Sequence, residues 1–229
     1  EISLGLVGSE MCIRDRFDAD GVKYYPIDTI IYPYEALRAE VTCAYTNVSQ
    51  DSDRTVRRVL MKESYAGQEQ TMFPQAIYER YCEKTGQTIN TIASDKTGRT
   101  LINYSGKPGD YECISLVDVL QGKIDTRVFK DSIVLVGAYA AGMQDNFNVP
   151  NGGNQQMYGV EIHANILQAF MQNRFSVNGN PFLFGLLTGL VCAILHFVFK
   201  RTKIWLSTIL LIAGVAANLI AGVILNNNG

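Results

Sequence analysis

Four polar side chains in the second half of this chain have the types that chemistry needs: Asp145, Asn146, Glu161 and His163. A carboxylate beside an imidazole is the ordinary start of an acid–base or metal site. The spacing argues against both. Glu161 and His163 stand two apart in EIHAN (161–165), and residues two apart on a helix point to different faces. A metal pair on a helix wants i and i+4, and the chain holds only two His. Glu161 near a helix N-terminus is accounted for by the helix dipole. His163 reads as a structural hydrogen-bond donor before it reads as a base. Asp145 and Asn146 lie in QDNFNVP (144–150), where they first suggest a turn that bonds its own backbone and only second a ligand contact.

Other chemical signatures are missing. GAYAAG (137–142) follows an apolar run, where a phosphate loop would sit. Met143 and Gln144 then stand where a P-loop needs Lys and Ser or Thr, and the dinucleotide glycine spacing fails as well. No nucleophile-elbow motif around a Ser occurs. A net charge of -2 without a basic run gives no face for nucleic acid. Cys43, Cys82 and Cys113 are too few and too widely spaced for a disulfide framework or a zinc pattern, so three separate, mostly buried thiols are expected. No cofactor and no metal are expected.

The elements that must position these groups alternate. Residues 22–27 and 43–48 read as strands, and 34–39, opened by Pro33, as a helix. Residues 56–65 and 70–72, joined across Ala66 and Gly67, read as a hairpin. Residues 74–84 read as an amphipathic helix with Ala76, Ile77 and Tyr81 on one face and Gly86 as its stop. A strand over 101–104 ends at Gly106, and Ser115 caps a helix ending near Gly122. The run IVLVG (133–137) is what a strand covered on both faces would show. A last helix is predicted over 159–172. This order gives an α/β fold over 17–176, with a mixed sheet flanked by helices and an antiparallel hairpin portion.

Two apolar runs follow, 181–199 and 204–225. Each has about the 20 residues that a helix needs to cross a bilayer, and backbone in hydrocarbon must bond itself. Both are predicted to be transmembrane helices. Lys200, Arg201 and Lys203 make the loop 200–203 basic, which keeps it cytoplasmic and places everything before residue 181 outside the cell. The expected location is the cell membrane, crossed more than once. Residues 3–16 (SLGLVGSEMCIRDR) resemble a translated sequencing adapter, so 1–16 are expected to be foreign to the domain and not ordered on its core. The chain is read as a fragment at both ends.

Six stretches, taken in order, carry a resemblance. They are NVSQDSDRTVRRV (47–59), FPQAIYERY (73–81), LINYSGKPG (101–109), ISLVDVLQGKI (114–124), FKDSIVLVGAYAAGMQDNFNVP (129–150) and MYGVEIHANILQAFMQNRF (157–175). Together, from residue 45 to residue 174, they resemble the type-two CHASE domain, a sensory extracellular module of bacterial receptors. The resemblance implies the input half of a transmembrane receptor whose output domain, an adenylate or guanylate cyclase or a kinase, lies outside these residues. It also implies an unidentified extracytoplasmic signal and no catalysis by this part. A homodimer through sensor and membrane helices is expected. Asn103, Tyr104, Asp145, Asn146, Glu161 and His163 become candidate ligand contacts. Gly159, Asn165 and Arg174 mark the helix that would pass the signal on. Arg54 departs from the pattern, standing where the aspartate-rich turn has Gly, so a looser turn is expected. Two rival readings are a dimerisation module, favoured by the small-residue spacing of Gly185 and Gly189, and an extracytoplasmic enzyme using Asp145, Glu161 and His163.

Overall fold

The structure is a computed structural model that describes residues 4–7, 16–17, 23–24, 32–38, 40–65, 68–92, 94–95, 98–177, 181–203, 205–209, 211–216 and 220. The chain divides into two units, Glu1–Val177 and Asn178–Gly229. The first runs through β1 (Leu4–Val7), β2 (Arg16–Phe17), β3 (Lys23–Tyr24), α1 (Glu35–Arg38), β4 (Thr42–Tyr45), β5 (Arg58–Leu60), β6 (Lys62–Tyr65), β7 (Gln68–Thr71) and α2 (Phe73–Thr85). It continues through β8 (Arg99–Ile102), α3 (Leu116–Leu120), β9 (Asn146–Phe147), β10 (Met157–Tyr158), α4 (Gly159–Gln172) and β11 (Phe175–Ser176).

The class is mixed α/β, as expected, but small sheets replace the single mixed one. An antiparallel sheet has the order β11-β8-β5. β6 and β7 form the expected hairpin, from Lys62 opposite Thr71 to Tyr65 opposite Gln68. β9 pairs antiparallel with β10, and β1 runs parallel to β4. That last pairing sets Leu4–Val7 against β4, where residues 1–16 were expected not to be ordered on the core. Leu4–Val7 is a short apolar stretch that satisfies the open backbone ladder of Thr42–Tyr45. Of the strand predicted over 22–27, Lys23–Tyr24 is present and pairs with Arg16–Phe17, and the remainder lies outside the described residues.

The core sits between α2 and α4. Pro74 suits the first turn of α2, where its missing N–H has no intrahelical acceptor. Gly86, at φ 71°, ends the helix and returns its N–H to the carbonyl of Cys82. The buried face is Phe73, Ile77, Tyr78 and Cys82, while Ala76 and Tyr81 of the predicted face are only partly buried. α4 buries Ile162, Ile166 and Phe170 in the same core, with the Tyr78 and Phe170 rings stacked at 5.4 Å. Three such side chains stabilise by roughly 5–9 kcal/mol before chain entropy is counted.

Two expectations about surfaces fail together. Residues 133–137 belong to no strand, and Ile133, Val134 and Val136 are exposed. An apolar run of this length says only that something covers it, and periodicity names no ladder partner. Ser115 does precede α3, but its side chain makes no capping bond, and Leu116, Val117 and Leu120 face outward. The thiols are separate, with Cys82 buried and Cys43 half-buried, but Cys113 is exposed.

The aspartate-rich turn is tighter than expected. Arg54 takes the left-handed conformation, φ 60°, that Gly would hold without strain. Its N–H donates to Asp51 O, Asp51 N–H donates to Thr55 O, and Arg57 and Arg58 both bond the Asp51 carboxylate. Arg57 also forks onto Asp53 at 2.8 and 2.7 Å, which holds that carboxyl well below its usual range. Arg54→Gly therefore removes strain without opening the turn. It should stabilise the protein by about 1 kcal/mol, read as a higher urea midpoint.

The second unit contains α5 (Pro181–Arg201) and further helical turns at 205–209 and 211–216. Lys200 and Arg201 fall in the last turn of α5, where cations suit the helix dipole, rather than in the predicted loop. Among the described residues no helix is long and apolar enough to cross a membrane.

Candidate functional site

Within α4, apart from His163, the polar residues Glu161, Asn165, Gln168 and Gln172 recur at i, i+4, i+7 and i+11, which places them on one face. The loop SGKPGDY (105–111) lies along that face. Asn165 Oδ1 accepts the N–H groups of Ser105 at 3.1 Å and Gly106 at 2.9 Å. Its Nδ2 donates to Glu161 O at 3.0 Å and contacts Met157 Sδ at 3.5 Å. Asn165 is 0% exposed, so every polar position of its amide is used inside the protein.

Glu161, 2% exposed, holds the same loop one turn earlier. Its Oε1 accepts from Gly109 N–H at 2.7 Å, and its Oε2 reaches back to Tyr158 N–H at 3.2 Å, as an acidic residue at the third helical position can. Farther along, Tyr111 Oη donates to Gln168 Oε1 at 2.9 Å, and Ser105 Oγ lies 3.5 Å from Gln172 Oε1. Asn151 Nδ2 donates to Gly106 O at 3.0 Å, so both backbone groups of Gly106 are held by asparagines. A Cβ on Gly106 would come within 2.9 Å of the Tyr111 ring, which explains a glycine there. Burial, with the charges of Glu161 and Asp110 behind it, pushes the Tyr111 hydroxyl up to about 12.

The other candidates face different neighbours. Asp145 lies beside the first turn of α4, where Gly159 N–H donates to its backbone carbonyl at 3.0 Å. A Cβ on Gly159 would sit 2.6 Å from both carboxylate oxygens, and partial burial pushes the Asp145 carboxyl up. Asn146 is in β9 rather than in a loop, opposite Tyr158, with its side chain donating to Gln156. His163, 7% exposed, lies edge-on to Phe73 at 5.6 Å and hydrogen-bonds the backbone at Thr46. Its Nδ1 has no partner among the described residues, and burial lowers its pKa to about 4. Tyr104 donates to Val56 O at 2.9 Å, and Asn103 follows β8 beside it.

Asp145, Glu161 and His163 therefore do not converge. Glu161 is committed to the loop, His163 to Phe73 and Thr46, and Asp145 to the helix start. Among the described residues no group of three or more His, Cys, Asp or Glu is placed to hold a metal. The loop holders Gly106, Gly109, Tyr111, Gln168 and Gln172 were not anticipated from the sequence, although the helical spacing of the four polar residues of α4 was readable there.

Asn173, at φ 52°, ends the helix in a left-handed turn, and Arg174 N–H returns to Ala169 O. The chain then pairs Phe175 with Ile102 and Ser176 with Leu101, so α4 does not run straight on toward the apolar segment.

These features define a mixed α/β domain whose principal helix clamps a surface loop through buried polar side chains. The chain belongs to the CHASE2 domain family, whose model matches residues 15–211. That family consists of sensory extracellular domains and serves signal transduction. No curated protein and no solved structure matches the chain.

Proposed function

We propose that this chain is the extracytoplasmic input module of a bacterial transmembrane receptor, with its output domain, a cyclase or a kinase, outside these residues. The observation that carries this reading is the clamp: one buried helix joins a surface loop on one face to the core on the other. A signal that favours one packing of loop and helix then shifts a two-state equilibrium. Membrane anchoring is supported by the apolar runs 181–199 and 204–225 and by the outward Phe182, Leu183, Leu186, Leu187, Leu190 and Phe197 of α5. Lys200, Arg201 and Lys203 then mark the cytoplasmic side.

Gly159 provides the test. Gly159→Val forces Asp145 or the first turn of α4 to move, because the added Cβ overlaps the carboxylate. In the membrane-reconstituted receptor with its output domain, basal output should change by about fivefold or more while the sensor still unfolds cooperatively. Unchanged output would sink the reading. A second reading, a dimerisation module, is favoured by the outward Leu116, Val117, Leu120, Ile133, Val134 and Val136. It predicts a stable dimer in sedimentation and no effect of Gly159→Val on output.

A further inference from the structure

A cavity of about 320 Å³ opens beside α2, away from the clamped loop, and Gln75, Tyr78, Glu79, Asn90, Ile92 and Phe170 shape it. That volume falls within the range of small-molecule sites. Tyr78, Ile92 and Phe170 supply an apolar wall, and the Glu79 carboxylate is the one charged side chain among the described residues that line it. Gln75 Nε2 donates to Glu79 Oε1 at 2.8 Å. A carboxylate only accepts, so this bond settles which end of the Gln75 amide is nitrogen. Gln75 Oε1 is thereby left buried without a partner among the described residues. Tyr78 Oη already accepts Asn90 N–H at 3.3 Å. No Lys, Arg or His is among the described residues that line the cavity.

An orphaned buried acceptor beside a carboxylate asks for a donor that carries positive charge. The amide's own dimensions place Gln75 Oε1 within about 5 Å of Glu79 Oε1, a gap that one ammonium can bridge with two ordinary hydrogen bonds. We propose that this cavity binds a small organic primary amine, with its ammonium on Gln75 Oε1 and the Glu79 carboxylate and its apolar body against Ile92 and Phe170. For its purpose, though not for its chemistry, the proposal rests on the sensory reading above. Phe170 belongs to α4, stacks on Tyr78 and meets Phe175 of β11 edge-on at 4.8 Å, so an occupant touches the helix that the signal must move.

The test uses the full 229-residue chain in detergent, titrated calorimetrically with phenethylamine and cyclohexylamine, and with 3-phenylpropionate as the acidic counterpart. At least one amine should bind saturably, and the carboxylate should not. Glu79→Gln should weaken amine binding about tenfold or more, and Gln75→Met, which keeps the length but removes the acceptor, should do likewise. Thermal melts establish that each variant is folded, and either one alone suffices. Absence of saturable binding by both amines, equal binding of 3-phenylpropionate, or full affinity in a folded variant would overturn the site. If amines bind but leave receptor output unchanged, the sensory reading fails and the site stands. If Gly159→Val changes output while no amine binds, the site fails and the sensory reading stands.

Discussion

Asn165→Leu should destabilise the first unit by about 3–5 kcal/mol, although leucine branches at the same carbon as asparagine and has as many side-chain heavy atoms. The substitution leaves Ser105 N–H and Gly106 N–H without their partner. A buried backbone group left unbonded costs about 1–3 kcal/mol, and Gly106 is buried. The loop can reach water only by lifting, which also breaks the Gly109–Glu161 and Tyr111–Gln168 bonds. Asn165→Asp keeps both accepted bonds but turns a second acceptor toward Glu161 O and buries a carboxyl, so it too should destabilise, by about 2–4 kcal/mol. Urea unfolding gives both numbers, and hydrogen exchange should show amides 105, 106 and 109 losing protection first. An Asn165→Leu protein within 0.5 kcal/mol of the parent, on the order of an ordinary surface change, would mean that the clamp does not hold the loop.

The second large effect is a loss of stability in acid traceable to His163. Its folded pKa is about 4 because burial opposes the charge, against 6.5 for the exposed imidazole. Above pH 6.5 both states are neutral there, and the full stability is present. As pH falls from 6.5 toward 4, the unfolded chain binds a proton that the folded protein refuses, so stability drops. The loss is complete below about 4 and amounts to about 3 kcal/mol. Carboxylates titrate in the same window, so the measurement is a difference: urea stability at pH 7.5 and 4.5 for the parent and for His163→Gln. The variant, which still has a donor for Thr46, should lack about 2.5 kcal/mol of the parent's decline. Equal declines would show that His163 is not held neutral.

The elements most legible in the sequence were those that carry their own punctuation. Pro74 and Gly86 bracket α2, the β6–β7 hairpin was anticipated across Ala66 and Gly67, and α4 was predicted over its observed length. The two-residue strands β9, β10 and β11 were invisible, since two residues carry no period and exist only because a distant partner accepts their ladder. The same blindness explains IVLVG, whose composition demands cover without naming it. Asn165 was singled out as marking a signalling helix, but its work lies 59 residues away at Gly106, beyond any local pattern. The orphaned Gln75 acceptor was likewise hidden, because an amide's missing bond is a property of its neighbours.

The left-handed residue that closes α4 decides what kind of machine the domain can be. A continuous helix is a rod that delivers push and twist to whatever follows it, because each residue is tied to the fourth before it. Asn173 cuts that ladder, and Phe175 and Ser176 are then moored on β8, Phe175 paired with Ile102 and Ser176 O accepting from the buried hydroxyl of Thr100 at 3.1 Å. Torque arriving at Gln172 therefore has no shaft to travel down. On the sensory reading proposed above, what leaves the domain is a sideways displacement of one short strand, β11, along the edge of β8.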